Sequence, residues 1–321
     1  MKCPHCGSER VKKFGKNRNG SPRSRCLDCK KTFTAGPADP KPLGPMRIPM
    51  DKAIDCLRLL LDGMSIRAVE RFTRINRNTI CDLILNLGER CRMFLNDRLR
   101  SVPVGDLQVD EVWSFVGCKE KTKVHCGKED EHGVGDAYLF VGLERNTKLI
   151  VGYMLGKRTD VDTYAFADRL KDCTAGRFHL STDGWSPYHT AMPAFFGDRI
   201  DYAQIVKTFT NAPRDKGKYC PPVIVSVGKK GICGNPDDKL TCTSHVERSN
   251  LTIRMTLRRW TRLTNAFSKS WKHHEAAVSL YIAFYDFIRP HMSLDNRTPA
   301  QESRLTDHRW SWEELLNATA V

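Results

Sequence analysis

The sequence is organised around one stretch, Thr243-Ser-His-Val-Glu-Arg-Ser-Asn-Leu-Thr-Ile-Arg-Met-Thr-Leu-Arg-Arg-Trp260. An apolar stripe recurs in it at about 100° per residue, which predicts a helix packed on a core. The stripe consists of Val246, Ile253, Leu257 and Trp260. The neighbouring face holds one acid among bases: Glu247, Leu251, Arg254, Arg258 and Arg262. A lone carboxylate on a cationic face indicates an acid that works beside a polyanion, with a metal ion between them.

A structural interpretation of the same glutamate is equally open at this point. Ser244 and Glu247 have the spacing of a capping box, in which the two side chains only satisfy backbone N–H groups of the first turn. The stretch by itself does not separate a cap from a catalyst, so the choice depends on the rest of the chain.

Composition restricts the class of protein and its partners. The chain has 321 residues with a formal net charge of +15, so a polyanion such as DNA is the expected partner. No apolar run is long enough for a membrane span, and no signal peptide is recognisable, so we expect a cytoplasmic protein without a membrane partner. The 13 cysteines fit a reducing compartment, because several occupy apolar positions of helical patterns (Cys56, Cys81, Cys91).

Two Cys-x-x-Cys pairs near the start predict a zinc ribbon over residues 1–36. The four expected ligands of one structural Zn²⁺ are Cys3, Cys6, Cys26 and Cys29. A redox pair or unrelated thiols are the alternatives, and His5 is interpreted as a bystander. Prolines and glycines then indicate a linker over residues 37–48.

Residues 49–100 have the pattern of three helices, the last two forming a helix-turn-helix. Ser65 and Asn76 are the expected N-caps. This arrangement would present Arg74, Arg77, Asn78 and Thr79 to a DNA major groove. A plain three-helix bundle that makes contacts within the protein is the alternative.

From residue 104 the pattern changes to strands that alternate with helices, which predicts an α/β domain with a mixed sheet. Asp110 lies in the middle of an apolar strand and Asp183 ends another before a glycine. Neighbours on a strand point to opposite faces, so only Asp110 or Glu111 is expected in one site, and Asp110 is preferred. Ile200 to Phe209 resembles another strand, and no structure is assigned to the rest of residues 200–242.

Asp110, Asp183 and Glu247 together could hold two Mg²⁺ (or Mn²⁺) ions, since carboxylate oxygens are the preferred ligands of these cations. Two such ions suit cleavage of a phosphodiester. Alone, Asp183 could be an ordinary Asp-Gly turn and Asp110 a hydrogen-bonded strand residue.

Several stretches resemble the DDE transposases of bacterial insertion sequences, more narrowly the fused InsA–InsB type of insertion sequence one. They are Cys3-Pro-His-Cys-Gly-Ser, Arg25-Cys-x-x-Cys-Lys-Lys-Thr-Phe, Val109-Asp-Glu-Val-Trp, Ser181-Thr-Asp-Gly-Trp and Thr243-Ser-His-Val-Glu-Arg-Ser-Asn-Leu-Thr-Ile-Arg. The resemblance implies an RNase-H-like catalytic domain over residues 104–300, followed by a C-terminal tail at 301–321. It also implies Asp110, Asp183 and Glu247 as the catalytic triad, with Arg254 seven residues after the glutamate.

The expected function is therefore a transposase that binds element ends and catalyses metal-dependent cleavage and strand transfer. Its expected partners are the terminal inverted repeats, target DNA and further copies of the chain, in a bacterial cytoplasm at the nucleoid. Arg254 and Arg258 are expected to contact DNA. An RNase-H-fold nuclease or resolvase without strand transfer is one alternative, and a non-enzymatic zinc-ribbon and helix-turn-helix regulator is the other.

Overall fold

The computed structural model describes residues 2–17, 22–34, 42–210, 223–262 and 264–320. It divides into two compact units, one within Met1–Lys41 and the other Pro42–Ala320. Residues 37–41 of the expected linker lie outside the described residues. From Pro42 onward the linker belongs to the second unit, where Leu43 is buried in the hydrophobic core.

The first unit is a small antiparallel sheet of the strands β1 (Val11–Lys16), β2 (Pro22–Cys26) and β3 (Thr32–Thr34) in the order β1-β2-β3. Within residues 2–17 and 22–34, the buried residues are Cys3, Cys26 and Ser24. A core this small favours a fold that a metal ion on the cysteines stabilises.

The second unit begins with α1 (Met50–Leu61), α2 (Ile66–Thr73) and α3 (Arg77–Arg98). Both expected N-caps are confirmed: Ser65 accepts from the backbone N–H of Ala68, and Asn76 accepts from that of Asn78. The turn between α2 and α3 contains Arg74 in the left-handed conformation. The three predicted helices are therefore present, and their role as a helix-turn-helix stays a prediction.

The α/β part contains a mixed sheet flanked by helices, as predicted. Its elements in chain order are β4 (Val102–Pro103), β5 (Asp106–Val116), β6 (Gly135–Glu144), β7 (Ile150–Gly156), α4 (Asp160–Cys173), β8 (Thr174–Ala175), β9 (Phe178–Asp183), α5 (Ser186–Phe196), β10 (Ile200–Thr210), β11 (Val223–Cys233), α6 (Ser244–Thr256) and α7 (Trp271–Phe287). The short strands β4 and β8 pair with each other. The large sheet has the order β11-β10-β9-β5-β6-β7, in which β6 and β7 run antiparallel to their neighbours while β9 and β10 are parallel to β5.

The helices of residues 49–100 share one hydrophobic core with this sheet. Gly88 of α3 lies so close to α7 that a Cβ atom there would be 2.2 Å from the backbone oxygen of Ala276. The chain ends with α8 (Pro299–Glu302) and α9 (Trp312–Ala318), and Trp312 stacks on Phe284 at 5.5 Å. The expected tail is thus folded against the same core. Among the described residues, no helix is both long and apolar enough to cross a membrane.

One expectation about local structure is wrong. The helix predicted to reach Trp260 ends at Thr256, and Arg258–Trp260 forms a separate single turn. This break turns the chain so that Trp260 stacks on the buried His274 at 4.4 Å, and that burial outweighs one more helical turn. Helix α5 and strand β11 had no sequence signal strong enough to predict them.

Candidate active site

Asp110 and Asp183 lie where two central strands stop pairing. The parallel register of β5 and β9 ends at the pair Val109 and Thr182. Asp110 and Asp183 are the next residue on each strand. Parallel strands carry these two acids to the same end of their shared ladder, which is why residues far apart in sequence meet here.

Glu111 joins the two aspartates. One carboxylate oxygen from each of Asp110, Glu111 and Asp183 lies within 4.8 Å of the others. The expectation that only one of Asp110 and Glu111 could enter the site is therefore wrong. Alternation separates the side chains of neighbours within a strand, but β9 ends at Asp183, one residue after its last pair with β5, and the carboxylate at that strand end lies within 4.8 Å of both Asp110 and Glu111.

Helix α6 is held against β5 by Gln108. The Gln108 side-chain oxygen accepts hydrogen bonds from the backbone N–H groups of His245 (3.1 Å) and Val246 (3.2 Å). One turn later, Asn250 donates its side-chain N–H to Oδ2 of Asp110 at 2.8 Å. These contacts fix the first turns of α6 beside Asp110.

Glu247 is not part of a capping box. The N-cap of α6 is Thr243, which makes no side-chain cap; its hydroxyl instead donates to Glu247 Oε1 at 2.8 Å. The same oxygen forms an ion pair with Lys207 of β10. Glu247 stands outside the cluster of three carboxylates, although its negative charge raises the pKa of both Asp110 and Asp183. The third acid is therefore near the pair but is neutralised by a lysine.

The three clustered acids favour a bound cation. Burial, followed by the charge of Asp183, raises the pKa of Asp110 to about 7 and that of Glu111 to about 8. Burial also raises the pKa of Asp183. A bound cation offsets the cost of ionising buried, clustered carboxyl groups. Oxygen donors are also the ligands that Mg²⁺ and Mn²⁺ prefer. The donor set therefore fits a hard divalent cation.

Arg158 links two of these acids, Glu111 and Asp183. Its Nε lies 3.3 Å from Glu111 Oε2 and its Nη2 lies 3.4 Å from Asp183 Oδ2. The guanidinium also lies 4.2 Å above the centre of the Trp185 ring. This flat, stacked geometry holds both carboxylates in place. Four residues of this site were not expected from the sequence: Glu111, Arg158, Lys207 and Asn250. Only Glu111 had a usable signal in the sequence, because it is an acid beside Asp110.

The remaining residues predicted to bind DNA are at the surface or near it. Arg74, Arg77, Asn78 and Arg258 are exposed, while Thr79 and Arg254 are half-buried. Arg254 is in the last turn of α6, whereas Arg258 lies beyond the end of that helix and no longer shares its face. Arg77 is fixed through its backbone N–H, which donates to Glu70 Oε1 at 2.8 Å.

The four expected zinc ligands come together in the first unit. The Sγ atoms of Cys3 and Cys29 are 3.6 Å apart, as are those of Cys6 and Cys26, and all four lie within 4.8 Å of one another. A tetrahedron of Zn–S bonds of about 2.3 Å places its sulfurs roughly 3.8 Å apart. The cysteine cluster therefore fits one tetrahedral Zn²⁺, and His5 is not part of it.

Known proteins resemble the chain only distantly. No family model matches it. It is 25% identical over 182 residues to insertion element iso-IS1n protein InsB of Shigella dysenteriae. These aligned residues cover 56% of this chain and 95% of InsB. A cryo-EM structure of the piggyBac transposase synaptic complex with hairpin DNA aligns with 80% of this chain and 70% of its own, at 9% identity and a TM-score of 0.35. That structural likeness is too low to carry a conclusion.

Proposed function

We propose that the chain is a transposase that binds the ends of an insertion element and catalyses metal-dependent DNA cleavage and strand transfer. The observation that carries this proposal is the meeting of Asp110 and Asp183 at the end of the β5–β9 ladder, with Glu247 presented beside them by α6. The similarity to an insertion-element protein over nearly all of that protein's length supports it. So does the net charge of +15, which suits a DNA substrate.

In this proposal Asp110, Asp183 and Glu247 hold two Mg²⁺ or Mn²⁺ ions. Bound there, the ions would activate the attacking oxygen and stabilise the leaving oxygen of a phosphodiester. Water would first attack phosphorus at the element end, forming a new P–O bond as the P–O3′ bond breaks, which leaves a 3′-hydroxyl on the element and a 5′-phosphate on the flanking DNA. That hydroxyl would then attack a phosphodiester of the target, forming the new bond as the target's own 3′ oxygen leaves.

The protein's own side chains keep this site assembled. Arg158 holds Glu111 and Asp183 together, and Asn250 orients Asp110 through a hydrogen bond of 2.8 Å. Lys207 balances the charge of Glu247. When cations bind to the acids, the Lys207 ammonium group would leave Glu247 and pair with a DNA phosphate.

The other parts of the chain have separate roles in this proposal. The zinc ribbon, with one Zn²⁺ on the four cysteines, and the surface around Arg74, Arg77, Asn78 and Thr79 bind the terminal inverted repeats. Arg254 and Arg258 contact DNA near the acids. Two ends must be held at once, so we propose a homo-oligomer that works at the bacterial nucleoid and has an RNase-H-like catalytic domain of the fused InsA–InsB type.

The test uses duplex oligonucleotides that carry the DNA flanking the coding sequence, together with a supercoiled target plasmid and Mg²⁺. We expect nicking at the element end followed by joining to the plasmid. Both products are expected to disappear in Asp110→Asn, Asp183→Asn and Glu247→Gln. Asp238→Asn, a change at an exposed acid of the second unit, is the matched control and should retain both.

The alternatives give different products in the same assay. Cleavage without joining would favour a nuclease or resolvase, and specific end binding without cleavage would favour a regulator. Cleavage that persists in all three acid variants would refute the assignment of the site.

A further inference from the structure

A pocket of aromatic and basic residues lies farther along the strand that carries Asp110. Its volume is about 410 Å³, within the range of roughly 300–1,000 Å³ that is usual for ligand pockets. Its lining includes Trp113, Ser114, Phe115, Lys119, Arg262 and Phe267. These described lining residues include no acid, so the pocket suits an aromatic ligand with an anionic attachment.

The strand register places the pocket beside the acids. Strand β9 pairs with one edge of β5 only as far as Val109. At the far end of the same edge, Val116 forms a parallel bridge with Ser268. Phe267 therefore lies at the same open edge of β5 as the acids. Trp113 is two residues beyond Glu111 on the same face of β5, a distance along the strand of about 7 Å, which matches about two stacked nucleotides at about 3.4 Å each.

The aromatic rings form an open stacking surface. Phe115 lies between Trp113 and Phe267, with ring centres 5.9 Å and 4.8 Å away, and all three side chains are only half-buried. Lys119 lies 5.7 Å from the centre of the Trp113 ring, and Lys269 lies 3.2 Å from that of Phe267. Aromatic faces flanked by cations are the arrangement that binds single-stranded nucleic acid.

A buried hydrogen-bond network makes the floor of the pocket rigid. Ser114 and Ser268 each lie 2.7 Å from one ring nitrogen of His274, which joins the end of β5 to the segment that carries Phe267. Arg259 adds hydrogen bonds to Ser268 (3.3 Å) and to the backbone oxygen of His273 (2.9 Å). A pocket wall fixed in this way is preorganised for a ligand rather than formed by loose side chains.

We propose that this pocket receives an unpaired nucleobase of the DNA strand whose phosphate is bound at the acids. The base would stack on Trp113, Phe115 and Phe267, and Lys119, Lys269 and Arg262 would face its flanking phosphates. The inference rests on the proposed function, because it takes DNA as the substrate. It adds that a few nucleotides next to the reacting phosphate are unpaired when bound.

The first test is binding in EDTA, where no cleavage occurs. The probes are a fluorescent blunt duplex and the same duplex with a short thymine overhang, and Kd is measured by anisotropy. The wild type should prefer the overhang. Trp113→Ala and Phe267→Ala should each weaken overhang binding by about 5- to 150-fold, the loss expected for one stacked base, and leave blunt-duplex binding unchanged. Tyr164→Ala, at an exposed aromatic residue of α4, is the control and should change neither.

Asp110→Asn separates this proposal from the previous one, since it should lose cleavage but retain the preference for the overhang. Equal losses for both probes in the two alanine variants, or no preference in the wild type, would overturn the proposal.

A second measurement does not depend on how the variants fold. A 5-iodouracil base in the overhang is crosslinked to the wild-type protein by light, and the modified peptide is identified by mass spectrometry. Crosslinks to Trp113, Phe115 or Phe267 would support the pocket, and crosslinks found only elsewhere would refute it.

Discussion

Replacing Asp110 with asparagine should stabilise the cation-free protein while abolishing its activity. The pKa of Asp110 rises from an ordinary 3.8 to about 7 on folding, mainly through burial and then through the charge of Asp183. A carboxyl group whose pKa is raised in the folded state costs nothing below pH 3.8, where both states are protonated. Stability is then lost as the pH rises from 3.8 to about 7, and the loss is complete above that value.

The size of the effect follows from the shift. At about 1.4 kcal/mol per pKa unit, the cost of Asp110 is about 2 kcal/mol at pH 5 and about 4 kcal/mol at pH 8. Water that reaches this partly buried site reduces both figures, so we expect the benefit of Asp110→Asn to grow by at least about 1 kcal/mol between these pH values. Asparagine is nearly isosteric, and its side-chain oxygen can still accept the hydrogen bond from Asn250.

The assay is urea unfolding at pH 5 and pH 8, in EDTA and in Mg²⁺, with Asp238→Asn as the exposed control. Mg²⁺ should stabilise the wild type at pH 8 and should have much less effect on Asp110→Asn, because one of its ligands is gone. A variant that is no more stable than the wild type at pH 8 in EDTA, or whose benefit is the same at both pH values, would show that the acids do not strain the fold.

Three further changes test other parts of the structure. Cys3→Ser should abolish zinc binding and make residues 2–34 sensitive to protease, while the unfolding of Pro42–Ala320 is unchanged. Cys118→Ser is the control. A Cys3→Ser variant that resists protease would contradict a zinc-dependent fold. Gly88→Ala should lower the free energy of unfolding by about 1–3 kcal/mol, because its Cβ would overlap α7, whereas Gly228→Ala meets nothing closer than 3.9 Å and should be neutral in the same urea titration. Lys207→Met should lower the Mg²⁺ concentration needed for half-maximal thermal stabilisation by about 1.5- to 5-fold. The reason is that Mg²⁺ no longer has to displace the Lys207–Glu247 ion pair, and a partly exposed ion pair contributes about 0.2–1 kcal/mol to stability. No shift would show that Lys207 does not compete with the cation.

Local patterns predicted the elements of the second unit well, because they depend on neighbouring residues. Ser65 and Asn76 cap α2 and α3 as expected, and Asp110 lies in the middle of a strand, Asp106–Val116, as expected. Contacts between residues that are far apart in the sequence were harder to predict. Nothing near Arg90 indicates that its guanidinium donates to the backbone oxygens of Leu316 and Thr319, which ties the predicted tail to α3.

Local patterns also failed to predict which acids meet in the candidate active site. Alternation along β5 correctly places Asp110 and Glu111 on opposite faces, but it assumes that the sheet continues past them. Pairing with β9 instead stops one residue earlier, and Asp183 therefore approaches both acids. The proximity of Glu111 to Asp183 is thus a consequence of register, a property of two strands together that no single stretch of sequence contains. Among the described residues, the same edge of β5 has no strand partner between Val109 and the bridge of Val116 with Ser268, so the end of β9 leaves this edge to both the acidic cluster and the aromatic pocket.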